Sequence, residues 1–166
     1  MKTAKTLVAA LAVLAVYACA PPPATTEMAT AGTPADEQAI RGLFERVEAA
    51  WNAKDGAGML ATMAEDVQFI SAEGEHIVGR AAYEEMMTRE FAMERPEGMS
   101  LSIEVGYIQW HGAGVAAVGG TWSVSGLPEG VPSTGAWINV VTRHDGQWLA
   151  TNSLVATRPA EMAGGN

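Results

Sequence analysis

Few side chains in this sequence have the types and spacing that chemistry needs, and they fall into three groups. His76, His111 and His144 could act as acids, bases or metal ligands, but they do not fall at ligand spacing and no two lie four apart, so no metal site is expected. His111 and His144 fall in predicted turns and face water. His76 lies on a strand beside Ile77, where it either points inward as an acid or base or stands at an ordinary edge. Glu65-Asp66 sets two carboxylates side by side, with Asp66 the candidate base, at a junction where acids also serve as caps and turn residues. The third group is Phe69, Trp122, Trp137, Asn139 and Asn152, aromatic rings with two amides on predicted strands. An apolar box with a few amides is how small-molecule sites are built. A mid-strand amide facing inward needs a partner, whereas one facing outward is a solvent or interface residue. Gly112-Ala113-Gly114 reads as hairpin chemistry and not as a phosphate cradle, so no cofactor is expected.

The elements that would position these residues follow from the patterning. Thr33-Pro34-Ala35-Asp36 opens a helix with a hydroxyl cap, a proline in the first turn and an acid after it. Ile40, Leu43, Phe44, Val47, Ala50 and Trp51 then recur by threes and fours as a buried stripe, with Arg41, Glu45, Arg46 and Glu48 facing water. Asp55 caps a second, short helix carrying Met59, Leu60 and Met63. Val67 to Ser71 and Glu75 to Val78 read as two strands around a tight turn. Ala82, Tyr83, Met86, Met87 and Phe91 share one face of a third helix, which ends at Pro96-Glu97-Gly98. After Gly98 the period changes to two, through four strands linked largely by hairpins. A bulge is expected near Gly106, and Gly119-Gly120 permits a bend or a close approach. Early helices against a mostly antiparallel, bent sheet make an α+β domain.

The N-terminus has a different character. Lys2 and Lys5 precede an apolar run from Leu7 to Val16, too short for a comfortable membrane span, which needs about 20 apolar residues. Val16-Tyr17-Ala18-Cys19 resembles a bacterial lipoprotein signal, although Tyr17 stands where that pattern wants a small residue. The resemblance implies a signal peptide over residues 1–18, acylation of Cys19 and a flexible tether over 19–33 rich in proline. With Ala20 after the cysteine it implies an outer-membrane lipoprotein facing the periplasm, held to the membrane only through its lipid. An ordinary secretory cut near Ala18 or Ala20 gives a soluble periplasmic or secreted protein instead. Removing Lys2 and Lys5 with the signal leaves eight basic against nineteen acidic side chains, a formal net charge of −11. So acidic a body argues against nucleic acid and anionic membrane surfaces as partners. Residues 34–158 form the folded domain and 159–166 a disordered tail.

Three stretches carry a family resemblance: "AIRGLFERVEAAWNAKDGAGMLATMAEDVQFISAEG", "GRAAYEEMM" and "TRHDGQWLATNSL". In this order and spacing they are similar to the nuclear transport factor 2-like superfamily, in its SnoaL-like or SgcJ/EcaC-type branch, from about Asp36 to Thr157. The resemblance implies a cone, in which a curved, mostly antiparallel sheet wraps about three helices around an internal cavity. Such domains often pair as homodimers through the outer face of the sheet. Steroid-isomerase members place an Asp base where this chain has Ser71 and a phenolic donor where it has Val47, so their mechanism is not supported here. The expected function is an exported, membrane-tethered domain that binds a small, mostly apolar molecule. A lyase, isomerase or cyclase using His76 or Asp66, and a dimerising interaction module, are the alternatives.

Overall fold

The computed structural model describes residues 32–159. The expected signal, Cys19, most of the tether and the tail beyond Pro159 lie outside them. Three helices and six strands follow in the order α1 (Pro34–Asn52), α2 (Gly56–Leu60), β1 (Met63–Ile70), β2 (His76–Val78), α3 (Arg80–Ala92), β3 (Ser100–Gly112), β4 (Val115–Ser125), β5 (Thr134–His144) and β6 (Gln147–Thr157). α1 opens with a full capping box: the Thr33 hydroxyl accepts from the Asp36 N–H at 3.2 Å, and the Asp36 carboxylate accepts from the Thr33 N–H at 3.0 Å. The same carboxylate pairs with Arg143 and accepts from the Trp148 indole N–H at 3.3 Å, which ties the start of α1 to the last hairpin. Asp55 caps α2 through the Gly58 N–H at 2.9 Å. α2 ends before Met63, because Met63 already belongs to β1, so the first strand starts earlier than the apolar run alone indicates.

The sheet runs β2-β1-β6-β5-β4-β3. Every neighbouring pair is antiparallel except β1 with β6, which are parallel. That central seam joins the N-terminal hairpin to the C-terminal four-stranded meander. Asp145-Gly146 turns the last hairpin with both residues at positive φ, the geometry of a tight turn that follows the strand twist. The bulge falls where the sequence indicates, between Val105 and Tyr107 on β3. Opposite it lies Gly120, where a Cβ would run into the Glu104 carbonyl. The sheet is curved and unclosed, and the helices pack against its concave side.

Two joined regions make up the core. Around the seam, Met63, Val67 and Ala150 pack with Ala50, Met59, Tyr83, Met86 and Met87. Along the meander, Ala116, Val118, Trp137, Val141 and Trp148 receive Ile40, Leu43 and Phe44 from α1. One side of α1 departs from the water-facing role expected of it. β3 is an edge strand, and α1 covers that edge with polar side chains: Glu48 accepts from the Ile103 N–H at 2.7 Å, Asn52 bonds both the N–H (2.8 Å) and the C=O (2.9 Å) of Leu101, and Arg41 reaches the Val105 carbonyl at 3.4 Å. Backbone groups that would otherwise template pairing with another chain are thereby satisfied. The opposite edge, β2, is only three residues long.

Candidate functional site

Register and alternation decide which side chains reach the concave face. Phe69 pairs with Ile77 on β2 and with Ser153 on β6; Ser153 pairs with Asn139 on β5, and Asn139 with Val118 on β4. Val67, Phe69, Ile77 and Val118 pack into the core, so this whole row faces the helices. In its middle, on adjacent central strands, stand two polar side chains, Asn139 and Ser153, each only 7% exposed. Neither side chain makes a hydrogen bond among the described residues, and their polar atoms are not fully shut off from solvent. Tyr83 of α3 leans edge-on against Phe69 at 5.2 Å between ring centres and is 1% exposed. Its hydroxyl makes no hydrogen bond among the described residues and is not among their fully buried unpaired atoms. Burial holds its phenol pKa far above the usual tyrosine value.

The aromatic walls differ from these polar groups. Trp137, beside Asn139 on the same face one position along, stacks on Phe44 at 4.3 Å and donates its indole N–H to the Thr121 carbonyl at 3.1 Å. Trp122 donates to the Ala156 carbonyl at 3.2 Å, crossing Gly135, where a side chain would collide with the indole. Both indole donors are committed to the backbone, so the tryptophans offer surface and not hydrogen bonds. Along this row the polar capacity facing inward is therefore uncharged: an amide, a hydroxyl and a phenol.

The remaining candidates lie elsewhere. Asn152 pairs with Gln68 and Val140, and Leu154 with Ile70 and Ile138, all on the outer face of the sheet. His76 pairs with Ile70 and shares that outer face, with its Nε2 2.9 Å from Gln68 Oε1. The geometry thus separates the two amides, placing Asn139 inside and Asn152 outside. Asp66 is exposed within β1, and its neighbour Glu65 pairs with Arg80 at 3.4 Å. A shallow hollow of about 310 Å³ lies against His76, Gln68, Asn152 and Leu154, with Asn139 and Ser153 also in its lining, and another of about 270 Å³ lies against Glu104, Thr121 and Arg158 near the opposite edge. Among the described residues no three His, Cys, Asp or Glu side chains converge as metal ligands, and no helix is long and apolar enough to cross a membrane. Sequence reasoning missed Ser153 and Tyr83. Ser153 lies between two outward residues on β6, and only the cross-strand register with Phe69 and Asn139 reveals it.

Comparison with known proteins agrees with this architecture. The model of the SnoaL-like domain family matches residues 44–151. A domain of unknown function with a cystatin-like fold from Nostoc punctiforme PCC 73102 is 26% identical, superposes with a TM-score of 0.68 and covers 79% of this chain and 83% of its own. A nuclear transport factor 2-like protein of unknown function from Shewanella oneidensis MR-1 is 21% identical, with a TM-score of 0.64 over 73% of this chain and 98% of its own. A protein from Novosphingobium aromaticivorans DSM 12444, provisionally named a scytalone dehydratase, is 17% identical, with a TM-score of 0.64 over 75% of this chain and 85% of its own. Among curated proteins none matches.

Proposed function

Since the chain belongs to the SnoaL-like domain family, we propose that it binds a small, mostly apolar molecule between the concave face of its sheet and its helices. One observation carries this reading: Asn139 and Ser153 stand abreast in the middle of the sheet, each 7% exposed, facing the helices and making no side-chain hydrogen bond among the described residues. A ligand oxygen placed between the amide and the hydroxyl takes a hydrogen bond from each, worth about 0.5–1.5 kcal/mol apiece. The flanking Phe69, Tyr83 and Trp137 rings supply the apolar walls. With uncharged groups facing inward, the ligand is a neutral carbonyl or hydroxyl compound. Catalysis is the weaker alternative, because His76 lies on the outer face and Asp66 is exposed, both away from this row.

Native mass spectrometry of the purified protein, followed by denaturing extraction, tests the proposal. The expected result is a retained neutral molecule that Asn139→Leu releases. A protein that carries nothing, and whose Asn139→Leu variant binds a panel of neutral cyclic ketones and alcohols as the wild type does, defeats it.

A second reading rests on the outer face. Ile70, Ile138 and Leu154 are 37%, 43% and 39% exposed and are adjacent across β1, β6 and β5. In this reading they meet a second copy of the chain, and Ile138→Glu turns a dimer into a monomer in analytical ultracentrifugation. A wild type that sediments as a monomer removes it. The proposal also places the domain outside the inner membrane, tethered by an acylated Cys19. Palmitate labelling that persists in Cys19→Ser refutes the tether.

A further inference from the structure

Where the C-terminal ends of α1 and α3 meet, one guanidinium lacks the partner that its burial demands. Arg95, in the segment between α3 and β3, lies 3.7 Å from the centre of the Trp51 ring, with the Phe91 ring at 5.1 Å. Its Nη1 donates to the Trp51 carbonyl at 2.7 Å. The other edge of the group, Nε and Nη2, is buried and has no hydrogen-bond partner among the described residues. In a guanidinium those two N–H groups point the same way, and together they form the fork that matches both oxygens of one carboxylate. Burial lowers the pKa of Arg95, and the charge of Glu90 opposes that from longer range without closing on the fork. Lys54 next to it gives its ammonium to the carbonyls of Phe91 (3.2 Å) and Met93 (2.8 Å), so it brings no anion to the corner.

Arg80 shows what an answered charge looks like in the same molecule. Its Nε is also buried and unpaired, but its Nη2 bonds the Met63 carbonyl at 2.6 Å and its Nη1 faces Glu65 at 3.4 Å. Arg95 is partly buried, with its Nε and Nη2 shut off from solvent, and has no salt-bridge partner among the described residues. We propose that Arg95 is an anion-recognition site for a small monocarboxylic acid, whose two oxygens take the Nε/Nη2 fork and whose flat apolar part lies against Trp51 and Phe91. Two aromatic rings around the guanidinium favour a singly charged, weakly hydrated acid over a strongly hydrated dianion. Shielding from bulk water strengthens each charge-assisted bond made there. The site is independent of the Asn139 and Ser153 reading, because it uses neither residue and takes an anion where they take a neutral oxygen.

Benzoate and its neutral analogue benzamide are the probes. In proton–nitrogen spectra of the purified protein, the Arg95 Nε–H resonance, identified by its loss in Arg95→Lys, is expected to move with benzoate and to stay with benzamide. Arg95→Lys keeps the charge but not the fork, and weakens benzoate binding by about tenfold or more. Asn139→Leu leaves benzoate binding as in the wild type, which separates the two sites. Should Arg95→Lys fail to fold, Arg95→Gln supplies the assignment and the two wild-type titrations decide. A resonance unmoved by benzoate up to its solubility overturns the proposal, as does one moved equally by both probes or benzoate affinity unchanged in the variant.

Discussion

At the scale of single residues, what distinguishes this protein is a set of polar side chains that make no hydrogen bond among the described residues. Asn139→Leu replaces a largely buried amide, with no side-chain hydrogen bond among the described residues, by an apolar group of similar volume. It should leave folding stability unchanged or raise it by about 1 kcal/mol in urea denaturation, while ligand retention is lost. A stability loss above about 2 kcal/mol shows instead that the amide is paired in solution. Tyr83 gives a second test. Below about pH 10 its phenol is neutral in the folded and the unfolded chain. Above that the unfolded chain ionises while burial keeps the folded phenol protonated, so stability falls as pH rises, by up to about 1.4 kcal/mol per pH unit. Tyr83→Phe should flatten that alkaline limb, and a limb that persists unaltered assigns it to another group. Of these residues Asn139 was legible in the sequence as a mid-strand amide. Its inward direction was not, because only cross-strand pairing separates it from Asn152.

At the scale of elements, the curved sheet depends on two devices, one read from the sequence and one hidden in it. The bulge at Gly106 and the glycine pair opposite it were visible as a parity break and a lack of side chains. Gly120→Ala drives a Cβ into the Glu104 carbonyl and should cost about 2 kcal/mol or more by denaturant titration. A change below about 0.5 kcal/mol means that the strand relaxes freely there. The hidden device is the polar seam of α1 along β3. Helix periodicity marks Arg41 and Glu48 as solvent residues and Asn52 falls where the pattern breaks, and nothing local reports that a strand edge lies within reach. Asn52→Ala leaves both backbone groups of Leu101 to water at an exposed edge, with an expected loss of about 0.5–1 kcal/mol. Asn52→Asp restores the acceptor but not the donor and should recover only part of it.

At the scale of the whole molecule, the class, the helix count and the run of four late strands follow from the order of patterns along the chain. The parallel β1/β6 pair does not, because it joins segments some eighty residues apart and leaves no local signature. Deleting the chain from Gln147 removes β6, the strand through which β1 and β2 reach the rest of the sheet. The expected product lacks a cooperative thermal transition, whereas a shortened chain that still melts sharply shows that the meander folds alone. That seam also gives the molecule a timetable. On a growing chain, the first hairpin and its helices are made early and wait, since their place in the sheet is held by the last strand to be synthesised. Non-local closure of this kind is slow compared with local pairing. Any process that must take the chain as a thread, passage through a narrow membrane channel among them, has until the final strand emerges to act.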